Sequence, residues 1–213
     1  MQKIDVRIFG VPERMPQIQK NKELLGLPDE HIIMDYEHIG CMPTARRAWA
    51  FKDDETAKAS HIMVLSDDVE LCDDFMSYCH RVIAAHPQEI ISLFPLTLAN
   101  RNMVGTLPIR SPYVVVQQCS GAGIMMPREY VDPCIAYWRD DIKGDDTNIT
   151  RWARDNGVQI LTTLPALIQH LDGVSIFDPS RNLGGTEFFN PDPSWARWDD
   201  PYVNSWTNII RRD

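Results

Sequence analysis

Two adjacent carboxylates, Asp67 and Asp68, close the apolar run His61-Ile62-Met63-Val64-Leu65-Ser66. A run of β-branched and long aliphatic residues reads as a buried strand. Carboxylates delivered at the C-terminal end of such a strand lie where open α/β sheets bind their ligands, in the crevice outside the strand ends. Two hard oxygen donors suit Mg²⁺ or Mn²⁺, and a cation of that kind commonly serves a phosphate. The structural alternative is that Asp67 or Asp68 only caps a helix that follows.

A second acidic pair stands in Gly144-Asp145-Asp146-Thr147, which opens a helical pattern. One carboxylate there is read as the helix N-cap, Asp145, with its neighbour complementing the helix dipole. The chemical reading makes Asp146 a general base for a hydroxyl group. His170 follows the last strand and is either a packed histidine or a metal ligand. Arg46 and Arg47 precede Trp49 on a helical stretch, as solvated charge or as a bidentate clamp on a diphosphate. Gly121-Ala122-Gly123 is either a tight turn or a place where a substrate comes close. Trp195, Trp198, Tyr202 and Trp206 read as aromatics that cover the core. No Gly-x-Gly-x-x-Gly follows the first strand and no Walker loop occurs, so phosphate binding must come from a metal rather than a glycine cradle.

The elements that position these residues alternate. Asp5 to Gly10 reads as a strand with an exit at Gly10-Val11-Pro12, then a short helix over 17–26 and a second strand over Ile32 to Asp35. Pro43 to Ala59 reads as helix, with Pro43 near its start. After the strand ending at Ser66, Asp73 or Asp74 caps a helix to about Ala85. Strands over 90–94, 113–117, 124–126 and 159–163 follow, with helices over 127–140 and 144–156, the last stopped by Asn156-Gly157. Residues 97–112 read as loop, and Pro165 to His170 follows the last strand. Strand–helix alternation through the first 95 residues argues for an α/β sheet with right-handed crossovers. Residues 1–177 are expected to form the catalytic domain, with 178–213 as a loop-rich tail packed on it.

Composition narrows the classes. The 213 residues are 44% apolar and 24% charged, which fits one domain with a sizeable core or one domain plus a tail. There is no apolar run long enough for a membrane span, and Met1 to Asp5 lacks the long apolar region expected of a signal peptide. Five scattered cysteines without a Cys-x-x-Cys pair suggest reduced thiols used for packing, in a cytoplasmic protein. The formal net charge of −9 disfavours broad nucleic-acid binding, although a local groove from Arg46, Arg47, Arg101, Arg110, Arg128, Arg211 and Arg212 is compatible with it.

The order of four features resembles the GT-A glycosyltransferases, over residues 4 to about 175. These are the first strand ending in Gly10-Val11-Pro12-Glu13-Arg14, Ser66-Asp67-Asp68, Gly144-Asp145-Asp146, and Pro165 to Ser175 with its Gln169-His170-x-x-Gly173-x-Ser175 context. The resemblance implies a GT-A-like, Rossmann-type central sheet with flanking helices, and transfer of a sugar from a UDP-type nucleotide donor with Mn²⁺ or Mg²⁺. It implies that Asp68 and His170 ligate the metal. It implies that Gly10, Val11, Arg14, Asp35, Arg46 and Asp67 bind the donor. Gly121, Ala122 and Gly123 would admit the acceptor, and Asp146 or Asp145 would supply the base. Ser66 departs from the pattern, since the family often has an acidic residue there. The resemblance leaves the acceptor open between a glycan precursor, a lipid-linked sugar, a small molecule and, as in small phage enzymes that glucosylate DNA, a hydroxymethylated pyrimidine, for which the tryptophans could frame a flipped base. Two other readings use the same carboxylates: a metal-dependent phosphohydrolase or nucleotidyltransferase, and a non-catalytic nucleotide-sugar-binding protein. The first expects a further acidic cluster or a glycine-rich phosphate loop, which the sequence does not offer.

Overall fold

The computed structural model describes residues 2–54, 56–95, 112–171 and 188–201. The chain runs β1 (Ile4–Gly10), α1 (Met15–Leu25), β2 (Ile32–Met34), α2 (Cys41–Ala50), β3 (His61–Ser66), β4 (Val69–Leu71), α3 (Phe75–Ala85) and β5 (Ile90–Ser92). It continues with β6 (Tyr113–Val115), β7 (Gly123–Pro127), α4 (Arg128–Tyr137), α5 (Asp145–Asp155), β8 (Ile160–Thr163) and β9 (Ile168–His170). Seven strands form one sheet in the order β2-β1-β3-β7-β5-β8-β6, and β4 pairs with β9 in a small second sheet. β1 is parallel to β2 and β3, and β5 to β8, whereas β7 and β6 run against their neighbours. The protein is therefore a mixed α/β fold with a mostly parallel central sheet.

Alternation along the strands loads both faces. Val6, Ile8, Met63, Leu65 and Met125 face a core built with α1 and α3. Ile62, Val64, Ile124 and Met126 face a second core built with α2, α4 and α5. A sheet covered on both sides gives strands that read as continuous apolar runs, which is the pattern of His61 to Ser66. Trp198 is fully buried in the first core, with its ring against Tyr78 and Tyr113. Around it, Asp199 makes a two-pronged ion pair with Arg81, and the Pro191 carbonyl accepts the Asp73 N–H at 2.8 Å. Residues 188–201 thus pack against α3 and β6. Trp195 is 62% exposed. Tyr202, Trp206, Arg101, Arg110, Arg211, Arg212 and all of the loop expected at 97–112 except Pro112 lie outside the described residues. Among the described residues no helix is long and apolar enough to cross a membrane, and all five cysteines are free thiols.

The helix expected over Pro43 to Ala59 stops at Ala50. The cause is Arg7, buried on β1. Its guanidinium donates to the carbonyls of Ala48 at 2.6 Å and Trp49 at 3.1 Å, and to Asp5 at 2.7 Å. A cation at the last carbonyls satisfies a helix end and its dipole. Beyond it the Asp53 carboxylate accepts the Thr56 N–H at 2.7 Å, a local bond that competes with helix. Neither Asp67 nor Asp68 caps a helix, because the strand β4 comes next. Asp74 does hold the N-cap position of α3, without a side-chain cap bond.

Burial also sets a pH response. His61 begins β3 and is pushed down to about 4 by burial, only partly offset by the Pro87 carbonyl. A histidine whose folded pKa lies below its unfolded value near 6.5 binds its proton more readily when unfolded, so stability falls as pH drops from about 6.5 towards 4. Replacing His61 with Leu should flatten the slope of unfolding free energy against pH in that window by up to about one proton. Urea titrations at several pH values between 4 and 7 measure that slope, and an unaltered slope would remove His61 from the account.

Candidate functional site

Parallel pairing brings three strand ends to one edge. Gly10, Met34 and Ser66 finish β1, β2 and β3 side by side. The antiparallel β7 brings the start of its own strand to the same edge, where Ser66 donates its N–H to the Ala122 carbonyl at 3.0 Å. The Asp67 side chain turns towards β1. A Cβ on Gly10 would overlap it, so the carboxylate occupies space that only glycine leaves open. Its Oδ2 accepts the Val11 N–H at 2.8 Å.

Asp68 is held on all sides. Ser66 Oγ donates to its Oδ1 at 2.6 Å. Its Oδ2 meets Arg14 Nη1 at 2.9 Å and His170 Nε2 at 3.2 Å. His170 arrives because β9 pairs antiparallel with β4, placing it opposite Val69. β4 is held in turn by α1, whose Gln17 and Asn21 amides both donate to the Val69 carbonyl, at 2.7 and 2.8 Å. Gln17 and Asn21 are thus positioning residues that sequence reasoning did not single out, whereas Ser66, noted in the sequence as a departure, holds Asp68 through its hydroxyl. Amide side chains spaced four apart on a helix were the available signal.

The two carboxylates of this pair are driven apart. Burial and the neighbouring Asp68 charge raise Asp67 to about 6, against the Val11 N–H and Arg14. Burial would raise Asp68 too, but its bond to His170, the charges of His170 and Arg14, and the Ser66 hydroxyl hold it below the ordinary carboxylate range. Burial opposes the His170 cation, yet Asp68 outweighs it and raises the imidazole.

The second acidic pair lies on the other side of the Gly121-Ala122 turn. A Cβ on Gly121 would stand 3.1 Å from Asp145 Oδ1 and 3.8 Å from Asp146 Cβ. Asp145 is 3% exposed and accepts the Trp49 indole N–H at 3.2 Å. Burial and the Asp146 charge raise it to about 7. The expected cap at Asp145 does not form: Gly144 holds the N-cap position and Asp145 is the first helical residue. Asp146 is half-buried and its Oδ1 accepts the Thr147 N–H at 2.6 Å. The half-buried Cys41, at the start of α2, lies within the field of both pairs. Burial pushes its thiol well up, and the charges of Asp145, Asp146, Asp67 and Asp68 all push the same way.

Other expected residues sit differently. Asp35 joins the edge through its N–H, which donates to the Gly10 carbonyl at 2.8 Å. Both its oxygens are spent on the N–H groups of Ile39 and Gly40, at 2.9 Å each, so it shapes the loop into α2. Burial alone would raise its pKa, and those two bonds lower it. Arg46 is not brought to the edge: it pairs with Asp140 at 2.8 Å and lies over Trp138. Its neighbour Arg47 is nearer, bonded to the Met34 carbonyl at 2.9 Å. Gly123 is packed beneath, where a Cβ would press on Ile168 at 2.6 Å. Asp172, Gly173, Val174 and Ser175 lie outside the described residues.

Among the described residues no three His, Cys, Asp or Glu side chains converge as a preformed cage for a metal. Asp68 and His170 nevertheless fit two adjacent corners of a coordination shell. Ligands about 2.1 Å from an ion lie roughly 3 Å apart at neighbouring corners, and the observed oxygen–nitrogen separation is 3.2 Å. His170 Nδ1 lies 3.0 Å from the Leu171 carbonyl, the outer contact that leaves Nε2 for a ligand. Two protein ligands suit a cation such as Mg²⁺ that takes its remaining ligands from substrate phosphates and water.

No family model matches the chain, and no curated protein matches its sequence. Several solved structures are distantly similar. A mutant Drosophila β1,4-galactosyltransferase 7 in complex with manganese, UDP-Gal and xylobiose is 11% identical with a TM-score of 0.37, over 87% of this chain and 69% of that one. The catalytic domain of the same Drosophila enzyme with xylobiose is 10% identical with a TM-score of 0.40, over 89% and 69%. A protein from STIV is 13% identical with a TM-score of 0.49, over 89% and 97%. At such distance the functional reading rests on the residues of this chain.

Gly10→Ala tests the junction on which the edge depends. The added methyl must displace Asp67 or β1, and overpacking of this kind costs about 1–3 kcal/mol. The melting temperature should fall, whereas Gly26→Ala, at the exposed end of α1, tests only backbone conformation. An unchanged melting temperature for Gly10→Ala would show that Asp67 moves aside freely.

Proposed function

We propose that the chain is a divalent-cation-dependent glycosyltransferase, moving a hexosyl group from a UDP-type nucleotide sugar to a hydroxyl acceptor. One observation supports this above the others. A single sheet edge gathers Asp67, Asp68, Arg14 and His170 on one side of a small-residue turn, and Asp145 and Asp146 on the other.

In this reading Asp68 and His170 hold Mn²⁺ or Mg²⁺. Bound there, the cation supplies Lewis-acid stabilisation of the charge that builds on the leaving diphosphate. Gly10 and Val11 pin Asp67 so that it borders the donor, and Arg14 offers a planar fork to phosphate oxygens. Gly121 and Ala122 leave room for the acceptor beside the second acidic pair. Asp146, the less buried of that pair, takes the acceptor proton. Asp145, buried and bonded to Trp49, is the second candidate for that role. The acceptor is assigned to glycans or small hydroxyl compounds. Hydroxymethylated DNA is disfavoured by the net charge of −9.

Incubation with a panel of nucleotide sugars and Mn²⁺ should release a nucleoside diphosphate from at least one of them. Asp68→Ala should abolish Mn²⁺-dependent binding of UDP in calorimetry while the protein stays folded, and His170→Ala should shift the Mn²⁺ dependence to higher concentration. Full metal-dependent binding in folded Asp68→Ala would overturn the assignment.

Asp146→Asn separates a base from a structural acceptor. The amide oxygen can still accept the Thr147 N–H, but it cannot take a proton at neutral pH. Transfer should fall by roughly 10²-fold or more with donor binding retained. Near-normal transfer would pass the role to Asp145, or show that configuration is retained and no base is needed there. The anomeric configuration of the product, read by NMR, decides between those two.

A further inference from the structure

We propose that Arg14 is a built-in competitor of the divalent cation, neutralising Asp68 until a diphosphate draws the guanidinium away. This rests on Asp68 and His170 being the metal ligands. Ser66 occupies Asp68 Oδ1 at 2.6 Å. Oδ2 is therefore the oxygen nearest to hand for a cation, and Arg14 Nη1 already lies 2.9 Å from it. The same guanidinium reaches back towards Asp67, with Nε 3.9 Å from Oδ1. A single side chain thus lies against both carboxylates that would otherwise attract a metal. Arg14 Nη1 and a divalent ion beside His170 Nε2 compete for one oxygen and for one patch of negative charge.

The backbone makes the exchange practicable. Arg14 ends the short turn Pro12–Arg14, directly after Val11, whose N–H is fixed on Asp67. Its N–H returns to the Val11 carbonyl at 3.1 Å, so the main chain is anchored. The side chain is long and 19% exposed, and it can swing without disturbing that anchor. Guanidinium is also the better partner for a diphosphate than for a lone carboxylate oxygen, since its fork bonds two phosphate oxygens together. Nucleotide and metal then favour each other: the diphosphate removes the competitor, and the metal frees the guanidinium. By linkage the two affinities must rise by the same factor.

The test uses the full chain and reads free Mn²⁺ by electron paramagnetic resonance, with and without UDP. In the unaltered protein UDP should tighten Mn²⁺ binding. Arg14→Gln should bind Mn²⁺ alone roughly five- to twentyfold more tightly, the scale of one partly buried ion pair, and UDP should add much less. Arg14→Met, neutral and of similar length, should repeat that result independently, and Arg14→Lys, which keeps the charge, should stay near the unaltered protein. Mn²⁺ affinity that is unchanged or weaker in the neutral variants overturns the role of Arg14. If Asp68→Asn still abolishes binding in that case, the metal site itself stands. Absence of Mn²⁺ binding by the unaltered protein, with UDP as well as without, overturns the metal-site reading and the proposal with it.

Discussion

The contact between Asp67 and Gly10 is the constraint from which the site is built. A carboxylate is accommodated against the backbone of the adjacent strand because position 10 carries no side chain. Once there it takes the Val11 N–H, and the Gly10 carbonyl takes the Asp35 N–H. One strand exit is thereby joined to the ends of both its neighbours. Placing Asp67 inward turns Asp68 the other way, towards Arg14 and His170. A side chain on residue 10 would disturb the turn after β1, the acidic pair and the loop into α2 together.

The second acidic pair is positioned from further away. Arg7, wholly buried on β1, fastens the last carbonyls of α2. That fixes Trp49, whose indole N–H reaches Asp145 on α5. The other end of α2 opens at Gly40, held by Asp35, and places Cys41 within the field of all four carboxylates. α2 thus acts as a strut between the edge where β1 ends and the start of α5. The buried Arg7–Asp5 pair costs desolvation, and the bonds to α2 carbonyls and to Thr56 offset it.

Much of this was legible in the sequence, and the rest fails for identifiable reasons. The β-branched run into Asp67 gave its strand, and strand–helix alternation gave an α/β sheet, because both are local periodicities. The end of α2 was not legible, since it depends on an arginine 41 residues away in sequence. β4 was missed because Val69-Glu70-Leu71 is too short to show a period, and its pairing with β9 is non-local. Asp145 as cap followed from residue type, whereas its burial against Trp49 is a tertiary fact that overrides the preference. Arg46 and Arg47 are indistinguishable by composition. Only the helix orientation sends Arg46 to Asp140 and Arg47 to the Met34 carbonyl.

The electrostatics of the edge follow from unequal burial within a pair. Two adjacent carboxylates in one crevice cannot both stay ionised cheaply. Here Asp67, behind Gly10, is raised to about 6, while Asp68, facing Arg14 and His170, is lowered. The pair therefore presents one firm charge near neutral pH and a second that is easily given up. That division is the one that paired carboxylates acquire when their environments differ. Under the proposed function, a lone cation would meet Asp68 already compensated, whereas a cation arriving with a diphosphate would bring the anion that the guanidinium needs. In a chain of net charge −9, Arg14 is the cation that the described residues place against both carboxylates.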